Sequence, residues 1–359
     1  MSNPRAPRQS DIARIAGVSQ AAVSMVLNGR ASENGIPEST ETRIRAAMDQ
    51  LGYVPNVAAR SLKGGRNGLI GVHTFEPVFP VASSDYYREF LNGIEEQAVY
   101  EGLDLVLFAS TQRADGSRSI YGGGANRLRL ADGAIMLGFK KDDDELARLA
   151  AEGYPFVFIG HRVVPGVDIP HVTADYRGGM RPVADVLAAF GHARVAYLGI
   201  TVRGPSQLER LAGIRESFAV DGIPAPTETF VEPADVDETW VRRQLDDGVT
   251  AILAESFELA RALGAVVKRL SLSVPDDVSI ICLDTDPIGE LNDPISHVHI
   301  PRREMGRLAV TMLNHLIDGQ LGADRVAVLA CGAPSDVSVG RPRTAADLVA
   351  DPALTSRGV

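Results

Sequence analysis

Apolar residues near the amino terminus recur at intervals of three and four, which is typical of amphipathic helices. The first group is Ile12, Ile15 and Ala16, and the second is Val23, Val26 and Leu27. Gly17 separates the two groups, and glycine adopts the positive φ that a tight turn between helices requires. Ser19 follows as a candidate N-cap of the second helix. The pattern therefore predicts a helix-turn-helix.

A third helix is predicted over Glu38–Leu51, with Gly52 as its terminator. Its apolar face is formed by Ile44, Ala47, Met48 and Leu51. Residues 53–63 (YVPNVAARSLK) follow as a short, Ala-rich, basic stretch that runs into a pair of glycines. We interpret this stretch as a hinge helix and linker.

From residue 69 onward, short apolar runs alternate with amphipathic segments. The runs, predicted to be buried strands, are LIGVHTF, DLVLFA, GAIML and FVFIG, and then RVAYLG at 194–199, TAILA at 250–254 and VSIICL at 278–283. The predicted helices between them are 86–100, 142–151, 206–220 and 256–270. Alternating strands and helices predict parallel sheets, and the restart near residue 194 predicts two doubly wound lobes. Ligands of such folds bind beyond the carboxyl ends of the strands, here in the cleft between the lobes.

Charge is distributed unevenly along the chain of 359 residues, whose formal net charge is −10. Residues 1–66 contain nine Lys or Arg against five Asp or Glu, and the rest of the chain contains 27 against 41. A basic head on an acidic body suits a nucleic-acid contact through the head, because DNA responds to the local field.

Several function classes are disfavoured by what the sequence lacks. It has no apolar run of the length that a membrane span needs and no signal-peptide segment, so we expect a cytoplasmic, nucleoid-associated protein without membrane contact. It also has no Walker loop, no GxGxxG after a strand, no GxSxG elbow and no histidine pair at metal-binding spacing. We therefore expect neither catalysis nor a cofactor or metal.

The amino-terminal motifs DIARIAGVSQAAVSMVLNG, ETRIRAAMDQLGYVPN and AARSLK resemble the lac repressor family of bacterial regulators, in the same order and at nearly the same spacing. The resemblance implies that the second helix enters the major groove of DNA. The implied base-reading residues are Gln20, Ala21 and Met25, and those placed for the DNA backbone are Ser19 and Asn28. Glutamine can pair with adenine, and an apolar side chain can pack on a thymine methyl group.

The same resemblance assigns the hinge to the minor groove, with Leu62 as a wedge between base pairs and Lys63 beside it. Two features depart from the family pattern. Met25 stands where many members have Arg or His, so no operator sequence can be transferred. Residues 30–35 (RASENG) make the loop before the third helix about three residues longer than usual.

The body resembles the effector domain of that family, which is similar to periplasmic sugar-binding proteins. The local marks are ADYRGG around Asp175, Gly191-His192, the RLAG segment at 210–213 and Leu283-Asp284. The resemblance implies that Arg210 and Asp284 contact the effector, a pairing of donors and acceptors suited to a sugar or other polyol. An interlobe salt bridge without a ligand is the alternative.

Further candidates for the effector site are Tyr86, Tyr87, His161 and Glu255, each at or near a predicted strand end or helix start. Tyr86 and Tyr87 offer aromatic stacking, although either can be a core residue. His161 and its neighbour Arg162 follow the strand FVFIG, and Glu255 follows TAILA. His73 and Phe75 line the cleft or pack in the core with equal plausibility.

The predicted organisation is a helix-turn-helix domain over 1–53, a hinge over 54–66, a two-lobed effector-binding and dimerisation domain over 67–342, and a flexible tail over 343–359. The predicted function is sequence-specific transcription regulation, as a repressor, controlled by a small molecule, a sugar. A homodimer on double-stranded, pseudo-palindromic operator DNA is expected, because the head reads one half-site and the tail lacks coiled-coil heptads. The alternatives are a solute-binding receptor without a regulatory role and a nucleoid-type DNA binder.

Overall fold

A computed structural model of the chain describes residues 7–27, 30–53, 66–76, 84–109, 112–113, 116–121, 124–138, 142–285, 295–322 and 325–342. The chain divides into two compact units, Met1–Leu69 and Ile70–Val359. We call them the head and the body. None of the described helices combines the length and the apolar composition needed to cross a bilayer.

The described residues of the head form three helices around one small core. They are α1 (Gln9–Ala16), α2 (Gln20–Leu27) and α3 (Glu38–Leu51). Gly17 and Gly52 end α1 and α3 with φ of 64° and 57°, the left-handed conformation that favours glycine. The predicted helix-turn-helix and third helix are confirmed. Ile15, however, is exposed, because α1 buries the face that carries Ile12, Ala13 and Ala16.

The first lobe of the body is a six-stranded sheet in the order β11-β5-β4-β3-β1-β2. Its strands are β1 (Leu69–Thr74), β2 (Asp104–Phe108), β3 (Gly133–Leu137), β4 (Phe156–Ile159), β5 (His171–Ala174) and β11 (Val326–Leu329). Its helices are α4 (Ser84–Glu101), α5 (Asp143–Ala151) and α10 (Arg302–Ile317). Alternate residues of β3 belong to different cores: Ile135 packs with α4 and α10, and Met136 packs with α5. Helices therefore cover both faces.

The second lobe is a five-stranded sheet in the order β10-β9-β8-β6-β7, with parallel pairing throughout. Its strands are β6 (Val195–Gly199), β7 (Thr227–Phe230), β8 (Ala251–Ala254), β9 (Ser279–Cys282) and β10 (Ser296–His297). Its helices are α6 (Arg181–Phe190), α7 (Pro205–Asp221), α8 (Glu238–Asp246) and α9 (Phe257–Arg269). Alternation again separates two cores, with Tyr197 and Leu253 facing α7 and Leu198 and Ile252 facing α9. Two doubly wound lobes are confirmed.

Four strands escaped the sequence prediction: β5, β7, β10 and β11. They are two to four residues long, and β7 and β11 are only partly buried. Short length and partial burial therefore leave a pattern-based prediction little to detect. The segment DLVLFA was predicted to be a buried strand; the strand is confirmed, but the predicted burial is wrong. It forms β2, an edge strand with only partial burial. The chain crosses between the sheets after β5, after β10 and after β11. The first crossover contributes Tyr176 to the cleft described next.

Candidate functional site

The exposed face of α2 carries the predicted base-reading residues. Gln20 and Ala21 are exposed and Met25 is half-buried, while Val23 and Val26 fill the core of the head. Ser19 is exposed, and its Oγ accepts a hydrogen bond from the amide of Ala22 at 3.1 Å, so it caps the helix as expected. The helix therefore presents one polar and one apolar contact at its amino-terminal end. The predicted residues Asn28, Leu62 and Lys63 lie outside the described residues.

A cleft, part of it open to solvent, lies between the two lobes of the body. The residues that line it come from α4, from the ends of β3 and β4, from the first crossover and from the start of α7. Those used below are Tyr86, Tyr87, His161, Arg162, Tyr176 and Ser206. The cleft thus lies at the carboxyl ends of parallel strands, where the topology places ligand sites.

A buried cluster of Asp284, Arg210 and Arg302 lies directly behind this lining. The Asp284 carboxylate accepts a hydrogen bond from Nη2 of Arg302, and Nη2 of Arg210 lies 3.6 Å from the same oxygen. Asp284 follows β9, Arg210 lies on α7 and Arg302 is the first residue of α10. The two crossover-linked lobes therefore meet at one shared carboxylate, which we call the Asp284 cluster.

Aromatic rings separate the Asp284 cluster from the cleft. The Arg302 guanidinium lies 4.7 Å above the Tyr86 ring, and that of Arg210 lies 4.8 Å above the Tyr176 ring. Burial is the main cause of the raised pKa of the Tyr86 and Tyr176 phenols. Both hydroxyls are therefore neutral at physiological pH and are able to donate hydrogen bonds.

Tyr87 packs edge-on against Tyr86, with 5.1 Å between the ring centroids, and its hydroxyl donates to the Glu76 carboxylate. Burial raises the pKa of Tyr87, and the neighbouring Glu76 raises it further. Both tyrosines line the cleft, although the Tyr87 side chain also belongs to the core. Tyr87 combines the two roles that the sequence left open.

His161 and Arg162 lie at the mouth of the cleft, after β4. His161 Nδ1 lies 3.0 Å from a carboxylate oxygen of Glu209 on α7, so this pair connects the lobes. The Arg162 guanidinium donates to the carbonyl of Gly138 and lies 4.6 Å above the Phe158 ring. Both residues border the space in which a ligand can sit.

Comparison with known proteins matches two segments of the chain to known families. The family described as "Bacterial regulatory proteins, lacI family" matches residues 10–56, and "Periplasmic binding protein-like domain" matches residues 184–333. The regulator CelR of Thermobifida fusca is 28% identical over 332 residues, which cover 89% of this chain and 94% of CelR. Catabolite control protein A of Priestia megaterium is 26% identical, over 84% of this chain and 90% of that protein.

The solved structures agree with the fold. A lac repressor dimer bound to operator and an anti-inducer matches with a TM-score of 0.71 at 23% identity, over 94% of this chain and all of that chain. Residues 10–56 of this chain are therefore similar to the lacI family of bacterial regulatory proteins, and residues 184–333 to periplasmic binding proteins. A CelR–cellobiose complex also matches this chain, with a TM-score of 0.60 at 23% identity, over 93% of it and all of that chain.

Glu255 does not reach the cleft. The side chain is fully buried within the second lobe, where its carboxylate accepts from the Tyr197 hydroxyl, from the amide of Ile200 at 2.9 Å and from Arg203 Nη1 at 2.7 Å. All of these donors belong to the second lobe. The expectation that Glu255 contacts the effector is therefore corrected: the carboxylate holds Arg203 and the loop after β6.

His73 and Phe75 also turn out to be core residues of the first lobe. Their rings pack edge to face at 5.0 Å, and both are buried. Neither lines the cleft. Of the residues predicted from the sequence, the cleft and the cluster behind it bring together Tyr86, Tyr87, His161, Arg162, Arg210 and Asp284.

Two residues of this site were not found from the sequence, namely Tyr176 and Arg302. Tyr176 follows β5, which is too short to be predicted, although it lies in the ADYRGG segment that carries part of the resemblance. Arg302 opens α10 after the two-residue β10. Its position as a charged residue at the start of a long helix is the sequence signal that could have identified Arg302.

Proposed function

We propose that this protein is a sequence-specific, DNA-binding transcription regulator, a repressor of the cytoplasm, whose operator affinity is set by a small molecule bound in the cleft. The observation that carries the proposal is the union of two parts in one chain. One is a helix-turn-helix whose second helix exposes Gln20 and Ala21. The other is a two-lobed body with a cleft lined from both lobes.

The DNA half of the proposal assigns α2 to the major groove. Gln20 offers an amide that can pair with the N6 and N7 atoms of adenine, and Ala21 and Met25 offer apolar contact to a thymine methyl group. Ser19 and Asn28 are proposed to face phosphates, Leu62 to wedge between base pairs and Lys63 to lie in the minor groove. One head reads one half-site, so we propose a homodimer on a pseudo-palindromic operator.

The effector half assigns a sugar-like molecule to the cleft. Support comes from the stacking surfaces of Tyr86 and Tyr87, from the donors of Arg210 and from the carboxylate of Asp284, which match the hydroxyls of a polyol. One similar structure is a complex of CelR with cellobiose. Binding changes the angle between the lobes, which alters the spacing of the two hinges in a dimer.

The proposed division of labour along the chain follows from these roles. Residues 1–53 bind DNA, 54–66 form the hinge, 67–342 bind the effector and dimerise, and 343–359 form a tail. The relatives found by comparison are regulators by name, and we propose no catalytic step for this chain.

The test is selection of fragments bound by the purified protein from genomic DNA of its source organism, repeated with a panel of sugars, sugar acids and sugar phosphates. We expect enrichment of one short pseudo-palindrome, and its loss or strengthening by one compound. The control is Ala21→Asp, which adds a negative charge to an exposed position of α2 and should abolish enrichment without disturbing the core.

Two outcomes would contradict the proposal. If no fragment is enriched even at low salt, where phosphate contacts are strongest, the protein does not act on DNA and a solute-binding receptor remains. If a fragment is enriched but no compound alters its binding, the body is not a sensor, and a nucleoid-type DNA binder is the better description.

A further inference from the structure

Three buried arginines at or behind the cleft have donors that are not used within the protein. Arg162, Arg210 and Arg302 are 9%, 3% and 5% exposed. Within the described part of the chain, the Nε–H group of each of these arginines has no hydrogen-bond acceptor. A buried donor without an acceptor destabilises the protein, so the site favours a molecule that brings acceptors.

The carboxylates at the site are already engaged. Asp284 is shared by Arg302 and Arg210, and Glu76 accepts from the Tyr87 hydroxyl. Among the described residues no ion pair of Arg162 is found, although the charges of Glu76 and Asp143 act on its guanidinium. In the Asp284 cluster two fully buried guanidiniums therefore face one carboxylate, and arginine stays protonated at every physiological pH.

We propose that the effector carries an anionic oxygen group, a carboxylate or a phosphate, that pairs with the guanidiniums of Arg302, Arg162 and Arg210. The inference rests on the proposed function, since it concerns the ligand of the same cleft. It names that ligand more narrowly, as a sugar acid or a sugar phosphate in place of a neutral sugar.

Charge pairing gives the physical reason. A guanidinium presents a planar fork of donors that matches the oxygens of a carboxylate or phosphate, and such charge-assisted bonds are about twice as strong as neutral ones. An anion at the cleft gives the second buried cation of the Asp284 cluster a partner of its own. Arg302 can then turn towards the ligand, and Arg210, now 3.6 Å from Asp284, can close on the vacated oxygen.

The positions of the three arginines fit this exchange. Arg162 lines the cleft directly. Arg302 and Arg210 lie behind the rings of Tyr86 and Tyr176, which themselves line it, so a rotation of one ring opens the path between guanidinium and ligand. A neutral sugar, whose hydroxyls both donate and accept, could bond to these guanidiniums but would leave the second buried positive charge of the Asp284 cluster without an anionic partner.

The first test uses inorganic phosphate as a probe, at constant ionic strength maintained with KCl, and measures heat of binding and thermal stability of the full chain. We expect saturable binding in the wild type and at least tenfold weaker binding in Arg302→Met and Arg162→Met. The matched control is Arg307→Met, on the same helix as Arg302 but half-exposed and paired with Glu96, which should bind phosphate like the wild type.

The inference is overturned if phosphate does not bind saturably. It is also overturned if Arg302→Met and Arg162→Met both bind phosphate as the wild type does, because the phosphate then binds elsewhere, for example on the basic head. Should Arg302→Met fail to fold, Arg162→Met alone decides between these results.

A second arm compares glucose, glucuronate and glucose 6-phosphate under the same conditions. Binding of either charged compound more tightly than glucose supports the inference, and the better of the two identifies the carboxylate or the phosphate as the preferred group. Equal or tighter binding of glucose overturns it. The genomic selection distinguishes failure of this inference from failure of the proposed function. If only neutral sugars change the enrichment of DNA fragments, the anionic effector is contradicted. If anions bind but no compound changes the enrichment, the proposed regulation is contradicted.

Discussion

His73 shows how a single buried side chain ties the stability of the first lobe to pH. It lies on β1 with 1% of its surface exposed. Burial, assisted by the nearby positive charge of Arg118, lowers the pKa of the imidazole to about 4. In the unfolded chain the same imidazole has a pKa near 6.5. Between about pH 6.5 and pH 4 it is therefore neutral in the folded protein but protonated in the unfolded chain.

Because the folded pKa lies below the unfolded one, stability falls as pH drops through about 6.5 and stops falling below about 4. Between pH 7 and pH 5 the loss from this one group is about 2 kcal/mol. We predict that His73→Gln removes this part of the pH dependence, measured by urea denaturation at both pH values. His315→Gln, at an exposed position of α10, is the control and should leave the dependence as it is in the wild type. An unchanged pH dependence in His73→Gln would mean that other groups cause it.

The site residues differ in how far the sequence could have identified them. Asp284 follows a strongly apolar strand and Arg210 lies in a recognisable segment, so strand ends and resemblance together pointed to both. Tyr176 and Arg302 follow strands of four and two residues, which leave no periodic signal. Glu255 also follows a strand, but its carboxylate is used by donors of its own lobe, and only the three-dimensional contacts show that.

Helices α4 and α10 pack unusually closely, and glycine makes the approach possible. A Cβ atom at Gly93 of α4 would lie 1.9 Å from the carbonyl oxygen of Arg303, and one at Gly306 of α10 would lie 2.3 Å from that of Phe90. Backbone atoms of one helix thus occupy the space that a side chain would need on the other. Ion pairs of Glu96 with Arg303 and Arg307 flank the crossing.

We predict that Gly93→Ala lowers the free energy of unfolding by about 1–3 kcal/mol or more, because the two helices must separate to admit the methyl group. The matched control is Gly264→Ala in α9, where the nearest atom is Ile295 Cδ1 at an ordinary 3.7 Å. That change should raise stability by up to about 1 kcal/mol through helix propensity. Denaturation midpoints of both variants measure the difference, and a loss of equal size in both would refute close packing as the cause.

The elements that sequence reasoning recovered are those whose ends carry chemical signals. The boundaries of the head helices were predicted within about one residue from Gly17, Ser19 and Gly52. Helix caps and left-handed glycines depend only on neighbouring residues, so they can be recognised in the sequence. The strand β2 was misjudged because its apolar residues lie at the sheet edge, and edge position depends on strand order. Strand order is a property of the whole sheet, beyond the reach of a local pattern.

At the scale of the whole molecule, charge is divided between the two units. The head is basic and the body acidic, so attraction to phosphates is expected from the head alone, a small part of the chain. The sequence predicted this division and the two lobes, because repeated strand and helix patterns report topology. It could not predict which polar groups around the cleft remain unpaired, since that depends on side chains brought together from α4, α7 and α10.

A dimer that reads two half-sites makes a symmetric prediction for Gln20. If Gln20 pairs with adenine, Gln20→Ala should weaken binding to the selected operator by about 1–3 kcal/mol per half-site, roughly 5- to 150-fold. Base preference should relax at two positions related by the twofold axis of the operator, while the salt dependence stays the same, because no phosphate contact is lost. The control is Gln50→Ala, an exposed residue of α3, which should bind as the wild type does. Relaxation in one half-site alone would argue against a symmetric dimer, and an unchanged preference in both would remove Gln20 from the base-reading residues.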